Sequence, residues 1–312
     1  MKKLIALIAV ISLLKVSAQS DSFMPEYSYD TKYITIGDDI SMAYLDEGSQ
    51  DAPVILMVHG LGGYIKNWYE TIEGLKLDYR CIAIDLPGYG RSTVRDFQEE
   101  DYIEFFSWSV DQFVNELGLA EATLMGHSMG GQVSIVTALK KPNWLKNLIL
   151  VAPAGFETFS EQEGNMIRPF STADALMSHN EAQIRIAYAA NFVSMPESVE
   201  DMIQDRLKVR DTDYFKDYAK VREMGVSGML DHPVREELKD ISVPTLVVFG
   251  AQDALIPNRY LHKDLTTEDI ANIGKDIPDV RIKLIDQAGH MLPLDQPAAF
   301  NESVRNFLVS NY

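Results

Sequence analysis

Cysteine is almost absent from this chain of 312 residues, which contains only Cys81. One cysteine cannot form an internal disulfide, so the fold has to be stabilised by its apolar core, even in an oxidising compartment. Histidine, cysteine and aspartate residues with the spacing of metal ligands are also lacking. We therefore expect the protein to use neither a metal nor a cofactor.

Basic residues are scarce, with 28 lysines and arginines against 46 acidic residues and a formal net charge of -18. No cluster of lysine and arginine interrupts this excess. A field of this sign repels nucleic acid and anionic surfaces. The composition therefore argues against a nucleic-acid partner and favours a neutral or cationic substrate.

Long hydrophobic runs are missing, and the most apolar stretch, Leu4–Leu14, has only 11 residues. That length is too short to cross a bilayer. Lys2 and Lys3 precede the run and small residues follow it up to Ala18, which is the pattern of a secretory signal peptide. We expect residues 1–18 to be cleaved off, leaving an exported periplasmic or secreted protein without a stable membrane anchor. The cleavage removes three lysines and changes the net charge from -18 to -21.

What the chain does contain is a series of short, nearly all-apolar segments separated by stretches of helix length. They are Val54–Val58, Cys81–Ile84, Ala122–Met125, Leu148–Val151, Thr245–Phe249 and Val280–Ile285. Segments of this kind are typical of strands buried on both faces, and their alternation with helices predicts a mainly parallel sheet covered on both sides. An opening hairpin is predicted before them, around Gly37.

The alternation is interrupted once, between Gly155 and Pro244, by 88 residues that are too many for a loop. We predict a helical insertion at residues 156–243, between core segments 19–155 and 244–312. A capping-box pair, Ser194 and Glu197, is expected to start one of its helices. The insertion also holds six of the 13 methionines, which either line a site for an apolar substrate beneath a lid or fill the insertion's own core. Those six are Met166, Met177, Met195, Met202, Met224 and Met229.

The segment from Ala122 to Gly131, ATLMGHSMGG, predicts a strand, a tight turn and a helix. Gly126 and Gly130 flank Ser128, and small residues at these places allow a turn sharp enough to expose the serine oxygen above the end of the strand. We interpret Ser128 as a nucleophile.

A serine hydroxyl needs a base to activate it and an acid to orient that base. His290 lies in a loop just past the last apolar strand, and Asp253 follows the strand TLVVFG in the same way. We predict His290 as the base and Asp253 as the acid. Asp85 and Asp286 are the competing candidates for the acid.

Acyl transfer also requires hydrogen-bond donors for the oxygen that becomes negative. One predicted donor is the backbone N–H of Met129, directly after the nucleophile. The second is the N–H of Leu61 in the loop HGLGG, whose glycines allow the backbone to approach a ligand closely.

Taken together, HGLGG, DLPGYGRS, GHSMGG and the loops of Asp253 and His290 resemble the α/β-hydrolase fold family over nearly all of the chain after residue 32. The resemblance implies an α/β fold with an eight-stranded, mostly parallel sheet and a helical cap inserted after the sixth strand. It also implies a serine nucleophile with an Asp–His pair. Epoxide hydrolases and haloalkane dehalogenases of this fold carry an aspartate where this chain has Ser128.

These features predict an exported serine esterase or lipase that cleaves esters of neutral, partly apolar substrates, either small molecules or lipids. Two alternatives remain open. One is a carbon–carbon bond hydrolase or a perhydrolase that uses the same triad. The other is a ligand-binding protein that keeps the fold without catalysis. The sequence does not separate esterase from lipase.

Overall fold

The computed structural model describes residues 24–95 and 97–311, so the predicted signal peptide, residues 1–18, lies outside the described residues. Eight strands form one sheet. They are β1 (Lys32–Ile36), β2 (Ile40–Glu47), β3 (Val54–Val58), β4 (Arg80–Ile84), β5 (Ala122–His127), β6 (Leu145–Val151), β7 (Thr245–Gly250) and β8 (Val280–Ile285).

The strand order is β1-β2-β4-β3-β5-β6-β7-β8, and only the β1–β2 and β2–β4 pairs are antiparallel. The predicted eight-stranded, mostly parallel sheet is therefore confirmed. Because β4 and β5 flank β3 on opposite sides, the order of the strands reverses at β3. In open α/β sheets, ligands bind beside the carboxyl ends of the strands at such a point.

Most strands are buried on both faces, which explains why they appear in the sequence as apolar runs. All six residues of β5 and all six of β7 are buried. The strand β8 differs, because it lies at the edge of the sheet and its more exposed positions carry Arg281 and Lys283. Its bounds match the prediction, but it is only half-buried.

Helices fill the connections between the strands. They are α1 (Tyr69–Leu75), α2 (Tyr102–Leu117), α3 (Met129–Leu139), α4 (Glu161–Ile167), α5 (Ala173–Met177), α6 (Glu181–Ala189), α7 (Val199–Val209), α8 (Asp213–Asp231), α9 (Thr267–Ile273), α10 (Leu292–Asp295) and α11 (Pro297–Val309). Among residues 24–95 and 97–311, no helix has the length and apolar character that a membrane crossing requires.

Helices α4 to α8 lie between β6 and β7, where the sequence predicts the insertion. The longest of them, α8, is tied to the core near both ends. The Tyr214 hydroxyl donates to the carbonyl oxygen of Gly90 at 3.1 Å, and the Gln132 side chain donates to the carbonyl oxygen of His232 at 2.7 Å. The expected capping box is wrong, since α7 begins at Val199 with Ser198 as its N-cap.

The start of α3 packs directly on the end of β3, and Gly130 allows this approach. A Cβ atom at Gly130 would lie 2.4 Å from the carbonyl oxygens of both Val58 and His59. Atoms at that separation overlap, so any side chain here forces strand and helix apart.

We expect Gly130→Ala to lower the midpoint of thermal unfolding by roughly 2–12 °C. Overpacking of this kind costs roughly 1–3 kcal/mol, and each kcal/mol shifts the midpoint by about 2–4 °C in a domain of this size. Gly164→Ala in α4 is the matched control, because its Cβ would meet only the Arg168 side chain, at 3.8 Å. Equal midpoints for Gly130→Ala and the wild type, measured by circular dichroism, would contradict the packing argument.

Candidate active site

The turn between β5 and α3 holds Ser128 in a strained conformation, with φ 54° and ψ -119°. Non-glycine residues rarely adopt positive φ, so the surrounding structure must impose it. The Ser128 N–H donates to the carbonyl oxygen of Val151 at 2.9 Å. Its carbonyl oxygen accepts from the N–H groups of Gly131 at 2.8 Å and Ala154 at 3.0 Å. These bonds fix the turn and leave the hydroxyl at the wall of a cavity.

The small residues around the serine are required by close contacts. A Cβ atom at Gly126 would lie 2.2 Å from the carbonyl oxygen of Gly130. A Cβ at Gly60, in the loop after β3, would lie 2.9 Å from the Cβ of Ser128. Glycine at these positions therefore lets β5, α3 and the HGLGG loop converge on the serine.

His290 and Asp253 form a buried pair at the carboxyl ends of the neighbouring strands β8 and β7. His290 Nδ1 donates to Asp253 Oδ2 at 2.8 Å. The other carboxylate oxygen accepts from the N–H groups of Leu255 at 2.8 Å and Ile256 at 3.0 Å. Burial alone would raise the pKa of Asp253, but His290 and these hydrogen bonds hold it below its ordinary value. The histidine ring borders the same cavity as Ser128.

The competing carboxylates lie elsewhere. Asp85 is buried and accepts from the backbone N–H groups of Ile65 and Arg91, each at 2.8 Å. It joins two loops, and burial raises its pKa to about 6. Asp286 is exposed. Of the three candidates, the structure brings only Asp253 to His290.

The two predicted oxyanion donors, the N–H groups of Leu61 and Met129, are both free within the described part of the chain. Met129 is the first residue of α3, where backbone N–H groups lack partners inside the helix. Leu61 borders the cavity that Ser128 lines. Both side chains contact Gly225 of α8, whose Cβ would lie 3.1 Å from Leu61 and 3.2 Å from Met129.

His59 positions the loop that carries Leu61, a role that the sequence analysis missed. Its Nδ1 donates to the carbonyl oxygen of Gly60 at 2.8 Å, and its Nε2 accepts from the N–H of Leu86 at 3.1 Å. Burial lowers the pKa of His59 to about 4, so the ring stays neutral and keeps one donor and one acceptor. The sequence signal that could have indicated this role is a histidine directly after a buried strand.

His127 contacts His290, the predicted base. Its Nε2 donates to the carbonyl oxygen of His290 at 3.0 Å, and the two rings lie 4.8 Å apart. Burial, followed by the nearby His290, lowers the pKa of His127 to about 3. A neutral ring at this place adds no positive charge next to His290.

The cavity above Ser128 has a volume of about 420 Å³ and lies between the HGLGG loop and the insertion. Of the six methionines in the insertion, Met202 and Met229 line it. Met166, Met177 and Met195 are exposed instead, so the proposed role of lining the site applies to a minority of them. Met291, next to His290, also lines the cavity and was missed.

We expect His59→Gln to change how stability depends on pH. Between pH about 4 and 6.5 the unfolded chain binds a proton at His59 that the folded protein does not, so the wild type loses stability as pH falls through this window. As pH falls through this window, the free energy of unfolding of the wild type should decrease by about 3 kcal/mol relative to that of the variant. Urea denaturation at both ends of the window measures it, and a difference independent of pH would contradict the assignment.

Comparisons with known proteins agree with this fold. Residues 53–297 match the family model of the alpha/beta hydrolase fold. The carboxylesterase of Bacillus subtilis is 25% identical over 261 residues, covering 84% of this chain and 82% of that protein. A dihydrolipoyllysine-residue acetyltransferase component of the acetoin cleaving system of Pseudomonas putida is 26% identical over 269 residues, covering 86% of this chain. The chain spans 66% of the length of that relative.

Among solved structures, a probable hydrolytic enzyme from Pseudomonas aeruginosa superposes with a TM-score of 0.79 at 23% identity, covering 91% of this chain and 95% of that one. A likeness at this identity shows the shared fold. The family model covers most of the chain, and the structure has the eight-stranded, mostly parallel sheet expected of that family. The chain belongs to the alpha/beta hydrolase fold family.

Proposed function

We propose that the protein is a serine hydrolase that cleaves carboxylic esters with a partly apolar acyl group. The observation that carries the proposal is the buried Asp253–His290 pair, 2.8 Å apart, on the cavity that Ser128 lines. A base oriented by a carboxylate, with a serine lining the same cavity, is the arrangement that activates a hydroxyl for acyl transfer. The similarity to a carboxylesterase supports the ester class.

In the proposed first step, Ser128 Oγ attacks the ester carbonyl carbon while His290 takes the hydroxyl proton. Asp253 keeps the imidazole in place and stabilises its positive charge. The carbonyl oxygen becomes negative and accepts from the N–H groups of Leu61 and Met129. The bond from carbon to the alcohol oxygen then breaks, His290 returns the proton to that oxygen, and the acyl group stays on Ser128.

In the proposed second step, a water molecule attacks the acyl carbon while His290 takes its proton. The same two N–H groups hold the oxyanion. The bond between the acyl carbon and Ser128 Oγ breaks, His290 returns the proton to the serine, and the carboxylic acid leaves. No metal or cofactor takes part in either step.

We also propose that the insertion, residues 156–243, covers the site as a cap. Its α8 contacts both Leu61 and Met129 through Gly225, and side chains from α6 and α7 border the cavity, including Tyr188 and Met202. A cavity lined mainly by apolar groups favours substrates with an apolar part.

Residues 1–18 are predicted to direct export of the protein to the periplasm or the medium and to be cleaved off after Ala18. We expect the protein recovered from these compartments to begin at Gln19, and intact-mass spectrometry measures this. Recovery of the soluble protein with Met1 still present would contradict the export proposal.

We expect Ser128→Ala to lower kcat for nitrophenyl esters by roughly 10⁴- to 10⁶-fold, because nucleophile, base and acid act as one unit. The variant should unfold at the temperature of the wild type, since the hydroxyl is at the cavity wall. Ser303→Ala in α11, whose hydroxyl donates to the carbonyl oxygen of Ala299 in the same helix, is the control and should keep full activity. A series of acyl chains from acetyl to palmitoyl separates an esterase from a lipase.

Substantial activity in Ser128→Ala would contradict the proposed nucleophile. Absence of turnover for every ester, with Ser128 still labelled by a fluorophosphonate, would instead favour a carbon–carbon bond hydrolase or perhydrolase on the same triad, or binding without catalysis.

A further inference from the structure

The charge of the cavity is opposite to that of the chain. The protein has 46 acidic residues and only 28 basic ones, yet among the described residues those that line the cavity above Ser128 include no aspartate or glutamate. They do include two arginines, Arg206 of α7 and Arg222 of α8. Because the chain as a whole is acidic, these two arginines indicate a local role at this cavity.

Arg222 lies directly over the oxyanion loop. A Cβ atom at Gly62 would be 3.4 Å from Arg222 Nε. Tyr218, Arg222 and Gly225 follow one another at helical spacing, so α8 turns one face towards the HGLGG loop. Arg222 is therefore held beside the HGLGG loop, at the cavity that Ser128 lines.

Arg206 is held by aromatic rings rather than by an acid. Its guanidinium carbon lies 3.8 Å from the centre of the Phe215 ring and 5.1 Å from that of Tyr218. Its Nη1 is buried without a hydrogen-bond partner in the described structure. Burial lowers the pKa of Arg206, and the neighbouring Arg222 contributes in the same direction. An arginine remains charged under these conditions, because its ordinary pKa is so high.

Neither arginine forms an ion pair with a carboxylate among residues 24–95 and 97–311. The nearest carboxylate along α7, Asp205, is already engaged, since it accepts from Lys66 at 2.5 Å and from Tyr64 at 2.8 Å. Buried charged atoms are normally paired or hydrogen-bonded, so the buried Nη1 of Arg206 without a partner, beside the partly exposed Arg222, indicates an anion that arrives from outside.

We propose that Arg206 and Arg222 form an anion-binding subsite in the cavity, and that the substrate is an ester carrying a carboxylate or phosphate group. Resting on the proposed ester hydrolase function, this inference adds the charge of the substrate. The planar guanidinium matches both kinds of anion through paired N–H groups. The reacting carbonyl then lies between the anion and Ser128.

This proposal differs from the expectation that overall charge favours a neutral or cationic substrate. Surface charges farther than about 8 Å from a ligand are largely screened at physiological ionic strength. Two guanidinium groups inside the cavity act at shorter range and without that screening. The local charges therefore decide what binds beside Ser128, while the net charge affects only the approach.

Three nitrophenyl esters with the same six-carbon acyl chain test the proposal: the neutral hexanoate, the hydrogen adipate, and a hexanoate with a terminal phosphate. We expect the wild type to prefer at least one anionic ester. Arg222→Gln should lower kcat/KM for that ester by roughly 10- to 100-fold, as expected for losing hydrogen bonds to a charged group. It should lower kcat/KM for the neutral ester by a clearly smaller factor, because that ester gives the guanidinium no charged partner.

Arg222→Lys should restore part of the preference, because it keeps the charge without the planar pair of donors. Arg210→Gln is the control, since Arg210 pairs with Asp211 and does not line the cavity. The preferred ester distinguishes a carboxylate from a phosphate. Equal losses for neutral and anionic esters in Arg222→Gln, or a wild type without preference, would overturn the subsite.

If the wild type hydrolyses none of the three esters, the proposed function fails, and the subsite is tested separately. Adipate or inorganic phosphate should then raise the midpoint of thermal unfolding of the wild type but not that of Arg222→Gln. Equal shifts in both proteins, or none in either, would overturn the subsite as well.

Discussion

The strained backbone of Ser128 is the constraint on which the rest of the site depends. A non-glycine residue in such a conformation costs of order 1–3 kcal/mol, and hydrogen bonds to Val151, Gly131 and Ala154 hold it there. The turn is compact enough only because glycines stand at positions 60, 126 and 130. The strand β5, the helix α3 and the HGLGG loop therefore meet at Ser128. The strained backbone conformation is what directs its hydroxyl to the cavity.

Buried polar side chains fix the positions of the surrounding loops relative to that turn. His59 joins the HGLGG loop to the loop after β4, and Asp85 joins the latter to Ile65. Helix α8 lies across both, with Tyr214 on Gly90 and Gly225 against Leu61. The HGLGG loop and α8 therefore pack directly on each other next to Ser128.

Most of the sheet could be predicted from the sequence, since strands buried on both faces leave apolar runs such as Val54–Val58. The positions of Ser128, Asp253 and His290 after strands placed them at one edge of a parallel sheet. Other features depend on contacts between distant segments. The N–H of Ser194 donates to Asp295, which no local capping pattern could indicate. Arg206 and Arg222 lie on different helices, and their common cavity is visible only in the folded chain.

A crystal structure of the protein after reaction with a fluorophosphonate would show whether Ser128 is the nucleophile. We expect phosphorus bonded to Ser128 Oγ, with one phosphonyl oxygen roughly 2.7–3.1 Å from the N–H groups of both Leu61 and Met129. His290 should lie on the other side of the serine oxygen, still bonded to Asp253. A label on another residue, or an oxygen turned away from these two N–H groups, would contradict this expectation.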